Sequence, residues 1–87
     1  MSDSGTIWHL YLLECADGSL YAGIATDVAR RFEEHVAGKG ARYTRSHKPL
    51  RIAASRRIGS RSEALKAEIA LKRLPKERKI NALRQDA

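Results

Sequence analysis

Apolar and β-prone positions open the chain in two short runs, Ile7 to Cys15 and Leu20 to Ile24, with Asp17-Gly18 between them. Asp-Gly between two such runs signals a hairpin, and the length of its loop decides which side chains share a face. A two-residue loop would send Tyr11 and Tyr21 to opposite faces. A three-residue loop, Ala16-Asp17-Gly18 with Gly18 left-handed, pairs Cys15 with Ser19 and Leu13 with Tyr21. It leaves Leu10, Leu12, Leu20, Ala22 and Ile24 on one apolar face and His9, Tyr11, Leu13, Cys15, Ser19, Tyr21 and Gly23 on the other. This second register is expected, because it gives a clean core and gathers the polar groups.

Beyond the hairpin the period lengthens. Val28, Phe32 and Val36 recur at every fourth position, which predicts an amphipathic helix capped by Thr26, with Asp27 in its first turn, ending near Gly38. Arg31 and His35 share one flank of it. Gly38 to Pro49 reads as a basic loop, and Leu50 to Ile58 as a third strand in which Ile52 and Ala54 alternate with polar neighbours. Ser60-Arg61-Ser62-Glu63 is a capping box opening a helix over 61–73, and Pro75 suits the first turn of a last helix reaching about Leu83. The order β-β-α-β-α-α predicts an α+β fold, a small three-stranded antiparallel sheet flanked by helices.

At 87 residues, 43% hydrophobic and 31% charged, the composition is that of one globular domain, expected over 7–85 behind a frayed tail at 1–6. No apolar run approaches the roughly 18 residues of a membrane span and no apolar leader precedes the first strand, so a cytoplasmic protein away from membranes is expected. Without an exposed heptad or a large apolar patch, a monomer is expected. Cys15 stands alone, which excludes an intramolecular disulfide or a cysteine-rich zinc site, and His9, His35 and His47 lack metal-ligand spacing.

Charge narrows the partner. The net charge is +7, and residues 55–87 hold ten Lys/Arg against four Asp/Glu. From Gly38 to Arg51 the chain carries Lys39, Arg42, Arg45, Lys48 and Arg51 with no acid. A surface of one sign attracts polyanions through counterion release, so nucleic acid is the expected partner.

Five residues could carry chemistry. Tyr11 and Tyr21 sit on one face beside Gly23, where a backbone or ligand can approach closely; strand tyrosines also serve as packing residues with a wet hydroxyl. Arg31, one turn before His35, suits a phosphate or a developing negative charge. Glu68, between Leu65 and Leu71, borders the apolar stripe of its helix. It can pair with Lys72 one turn on, or present one carboxylate to a divalent metal; magnesium suits the latter, since it keeps most of its waters.

These residues resemble the GIY-YIG nuclease domain in its small stand-alone bacterial (UPF0213-like) form, over roughly residues 7 to 74. His9-Leu10-Tyr11 stands for the first motif, with only the tyrosine matching, and Tyr21-Ala22-Gly23 for the second, matching at both ends. Cys15 through Tyr21 with Gly23-Ile24 is similar to the stand-alone members. So are Glu34-His35, Gly38 to Thr44, and Ser62 to Leu65 with Glu68 and Lys72-Arg73-Leu74.

The resemblance implies a metal-dependent endonuclease hydrolysing DNA phosphodiesters, structure-selective and linked to DNA repair or processing. Tyr11 and Tyr21 take the places of the motif tyrosines, Arg31 that of the helix arginine and His35 that of a second phenol or imidazole. Glu68 takes that of the metal-binding glutamate, for one Mg²⁺ or Mn²⁺. Either tyrosine can be the general base, with Tyr11 preferred. Lys39, Arg42, Arg45, Lys48, Lys72 and Arg73 would contact the DNA backbone, branched or damaged DNA ranking above RNA, in the cytoplasm and at most associated with the nucleoid. Asn81, the only asparagine, has no secure counterpart in the family. The alternative is a nucleic-acid-binding module of the same fold with little or no nuclease activity. An RNA-associated basic protein ranks behind both.

Overall fold

Residue-by-residue burial decides what the pattern becomes in space. The computed structural model describes residues 6–84, so the tail expected at 1–6 lies, apart from Thr6, outside the described residues. Three antiparallel strands, β1 (Trp8–Cys15), β2 (Leu20–Ala25) and β3 (Pro49–Gly59), form one sheet in the order β2-β1-β3. Helices α1 (Val28–Val36) and α2 (Arg42–Ser46) lie between β2 and β3, and α3 (Arg61–Lys72) and α4 (Lys76–Arg84) follow. The order is therefore β-β-α-α-β-α-α.

The hairpin adopts the three-residue loop. Leu13 pairs with Tyr21, the Cys15 amide donates to the Ser19 carbonyl at 2.9 Å, and Gly18 takes the left-handed conformation at φ 86°. Asp17 closes the turn by accepting from the Ser19 amide at 3.0 Å and from its hydroxyl at 2.6 Å. One face of the sheet then buries Leu10, Leu12 and Ala22 against Leu71 of α3 and Leu83 of α4. The other is a second small core, in which Tyr11, Leu13 and Ala25 meet Tyr21, Val28, Phe32 and Ile52.

Four local expectations need correction. Asp27, not Thr26, caps α1: its backbone is extended and its carboxylate accepts from the Arg30 amide at 3.1 Å, a charged acceptor at the positive end of the helix. Val36 is 52% exposed while His35 is 1% exposed. At 3.6 residues per turn, His35 lies about 20° round the helix from Val28 and Val36 about 80°, so the inward face runs through the histidine. The stretch from Gly38 to Pro49 is not all loop, since α2 occupies its middle and turns its own Thr44 into the interior. Finally, Ile52 and Ala54 do not share a face. The register slips between Leu12 and Leu13, so that Leu12 faces Ala54 and Leu13 faces Ile52. The extra residue, Ala53, is a bulge that reverses the alternation.

Candidate active site

Tyr11 lies on the central strand and is 1% exposed. Its ring crosses β2 at Gly23, where a Cβ would overlap the phenol hydroxyl and ring carbons; glycine is required there because the tyrosine occupies the side-chain space. The hydroxyl reaches His35 Nε2 at 2.9 Å. The other ring nitrogen, Nδ1, lies 2.7 Å from the Thr44 hydroxyl oxygen, which is 2.9 Å from the Ala41 carbonyl. Gly40 completes the seat, since a Cβ there would collide with the imidazole. β1, α1 and α2 thus converge on one buried chain of polar groups.

Burial sets the titration of both partners. The Tyr11 phenol is pushed up to about 12, chiefly by burial and in smaller part by Tyr21 and Glu68, while Arg31 beside it pulls the other way. Removing that proton to water at neutral pH costs on the order of 7 kcal/mol. Arg31 therefore assists a phenolate but does not outweigh desolvation, and a resting phenolate is disfavoured. His35 is held below its ordinary value by burial and by Arg31, with Glu34 opposing weakly, so the imidazole is neutral near pH 7.

Arg31, half-buried, donates to Glu34 Oε1 at 2.8 Å, a partner that fixes its guanidinium near Tyr11. Tyr21 meets the His35 ring edge-on, with centroids 5.3 Å apart. Tyr43 stacks on Tyr21 at 5.7 Å, and His47 on Tyr43 at 3.9 Å. Tyr11, Tyr21, Arg31 and His35 are thereby brought together.

Glu68 stands on another helix, α3. Its side chain is 16% exposed and pairs with Lys72 at 3.3 Å, and its charge is the smallest of the influences that raise the Tyr11 phenol. β2 is one of the two edge strands, and a cleft beside it is lined from both α1 and α3, by Arg30 and Arg31 on one side and Arg61 and Leu65 on the other. Among the described residues no three acidic, histidine or cysteine side chains form a metal-binding cluster. A single carboxylate remains, which fits an ion that keeps its waters and takes other oxygens from phosphate.

Lys39, Arg42 and Arg45 are exposed around α2, with Lys48 just beyond it, and Lys72 and Arg73 are exposed at the end of α3. An open cleft of about 440 Å³ adjoins Arg31, lined also by Trp8, Ile24, Arg30 and Arg61; Arg61 lies over the Trp8 ring, 5.6 Å from its centroid. Cys15 is 1% exposed and its thiol is pushed up by burial, the state of a packing residue. Asn81 lies on α4 beside Leu74 and Arg78. Thr44 and Gly40 stand out in the chain by neither spacing nor charge; their only sequence signal is that they fall within the Gly38 to Thr44 stretch that matches the stand-alone members.

The model of the GIY-YIG catalytic domain matches residues 7–81. The chain belongs to the GIY-YIG family. It is 63% identical over 73 residues to a UPF0213 protein of Cupriavidus pinatubonensis, covering 84% of this chain and 81% of that relative. A UPF0213 protein of Xanthomonas axonopodis pv. citri is 55% identical over 73 residues, covering 84% and 72%. Among solved structures, a UPF0213 protein of Bacillus halodurans superimposes with a TM-score of 0.53 at 42% identity, covering 87% of this chain and 81% of that one. A protein from E. faecalis gives 0.60 at 39%, covering 88% and 82%. GIY-YIG membership implies a nuclease-type function. No described helix is long and apolar enough to cross a membrane.

Proposed function

We propose that this GIY-YIG chain is a metal-dependent endonuclease that hydrolyses DNA phosphodiesters. The observation that carries the reading is the buried Tyr11 hydroxyl held 2.9 Å from His35 Nε2, with Arg31 beside it. Pure binding does not require a desolvated phenol hydrogen-bonded to an imidazole. Hydrolysis requires an acceptor for the proton of water and a cation for the developing charge.

Glu68 would hold one Mg²⁺ or Mn²⁺, which when bound would polarise the phosphate and ease deprotonation of water. Tyr11 accepts the proton of the attacking water as His35 draws off the phenol proton, so no free phenolate forms. Arg31, oriented by Glu34, stabilises negative charge on the phosphorane oxygens. Tyr21, packed edge-on against His35, orients the water or the phosphate. The exposed Lys39, Arg42, Arg45, Lys48, Lys72 and Arg73 contact backbone phosphates, which position the duplex without reading sequence. Selectivity then rests on DNA shape, consistent with branched or damaged DNA and a role in repair or processing.

The test is a panel of labelled DNAs (duplex, flap, junction, single strand) with Mg²⁺, Mn²⁺ or EDTA, for wild type and Glu68→Ala. Metal-dependent cutting that vanishes in the variant is expected. No cutting by either protein, with salt-sensitive binding intact in both, would make this a nucleic-acid-binding member of the family.

A further inference from the structure

Both nitrogens of His35 are engaged, and counting donors fixes which one carries the proton. A carbonyl only accepts, so the Thr44 hydroxyl, 2.9 Å from the Ala41 oxygen, commits its single hydrogen there. The same oxygen lies 2.7 Å from His35 Nδ1 and must therefore accept, which requires Nδ1–H. A neutral ring then has a bare lone pair at Nε2, and the Tyr11 O–H, 2.9 Å away, is the donor. The opposite tautomer would demand two hydrogens from one hydroxyl.

We propose that Thr44 is a positioning residue that locks His35 in the Nδ1–H tautomer, so that the imidazole takes a proton from Tyr11 instead of giving one to it. The inference rests on the phosphodiesterase reading and deepens it. Thr44 is 2% exposed, and the ring is seated directly against Gly40, where a Cβ would collide with it, so the anchor is built into α1, α2 and the turn between them. An imidazole oriented through its second nitrogen is a common way to fix the basicity of the first.

In the reaction, a lone pair of the water oxygen forms the new bond to phosphorus while the bond to the leaving oxygen breaks, its electron pair staying with that oxygen. The proton lost by water passes to the Tyr11 oxygen and the phenol proton to His35 Nε2. The resulting imidazolium keeps its Nδ1–H bond to Thr44, the leaving oxygen takes a proton from solvent, and His35 then returns its Nε2 proton to solvent by way of the Tyr11 hydroxyl, which restores the resting state. Proton count and charge balance without a further reactant.

The experiment is a long-range ¹H–¹⁵N correlation spectrum of the His35 ring at pH 8, read together with single-turnover cleavage. The wild type is expected to show a protonated Nδ1 and a bare Nε2. Thr44→Val, nearly isosteric, should shift the proton to Nε2 and slow the chemical step on the order of 10–100-fold with DNA affinity little changed, and Thr44→Ser should restore both. An Nε2–H ring in the wild type, or wild-type tautomer and rate in Thr44→Val, would overturn the proposal. The spectrum separates the two readings. An Nδ1–H ring in a protein that cuts no DNA upholds the anchor and overturns the nuclease, whereas an Nε2–H ring in a protein that cuts overturns the anchor alone.

Discussion

The Tyr11 hydroxyl on β1 and His35 Nε2 on α1 lie 2.9 Å apart in a buried pocket, though 24 positions separate them in the chain. Burial and Arg31 hold His35 below the ordinary histidine value of about 6.5. The unfolded chain therefore binds a proton more readily than the native one as pH falls below 6.5. The stabilising contribution of neutral His35 is fully present above that pH and is lost as pH falls through the depressed native value. Urea unfolding across pH 5 to 8 should show a steeper acid-side loss for wild type than for His35→Gln, because the carboxylates contribute to both. Parallel profiles would remove His35 as the source. Protonation also occupies Nε2, so cleavage should fall on the same acid limb.

Gly23 offers a test of geometry. Because a Cβ there overlaps the Tyr11 phenol, Gly23→Ala should cost about 1–3 kcal/mol of stability through overpacking. It should also depress cleavage by more than the folded fraction accounts for. Wild-type cleavage per folded molecule would show that the phenol does not need its present position.

How much of this arrangement is legible in the sequence depends on distance along the chain. The hairpin is readable because Gly18 permits the three-residue loop, and loop length fixes the faces of Tyr11 and Tyr21. The capping box is readable too: Ser60 accepts from the Glu63 amide at 3.1 Å and Glu63 accepts from the Ser60 amide at 2.9 Å. The bulge at Ala53 is not, since a small apolar residue carries no mark of broken alternation. Val36 mimics a core position because an every-fourth count drifts from 3.6. α2 is hidden because a five-residue helix lacks a repeat, and Thr44 because its importance lies in a ring nine positions away.

That capping box supplies a control. Ser60→Ala should cost about 1 kcal/mol of stability, seen as a lower urea midpoint. At a temperature where the variant stays folded, its maximal cleavage rate should match wild type, because Ser60 lies outside the Tyr11 group. A selective loss of rate would show that α3 docking controls the site.

The basic rim should act on binding. Arg42 and Arg45 flank Tyr43 on α2 and are exposed. Alanine at both should weaken DNA binding similarly across sequences and flatten the dependence on salt by about one unit of slope for each phosphate no longer neutralised. The rate at saturating DNA should be little changed. An unchanged salt slope would place the DNA on another surface.

The most direct test of the account is the single-turnover rate of Tyr11→Phe on the best-cut DNA of the panel, with its affinity measured alongside. Loss of general-base help predicts a fall of roughly 10²–10⁴-fold in the chemical step with affinity near wild type. Cleavage at the wild-type rate by folded Tyr11→Phe would contradict the account, because the phenol on which it rests would then have no part in the chemistry.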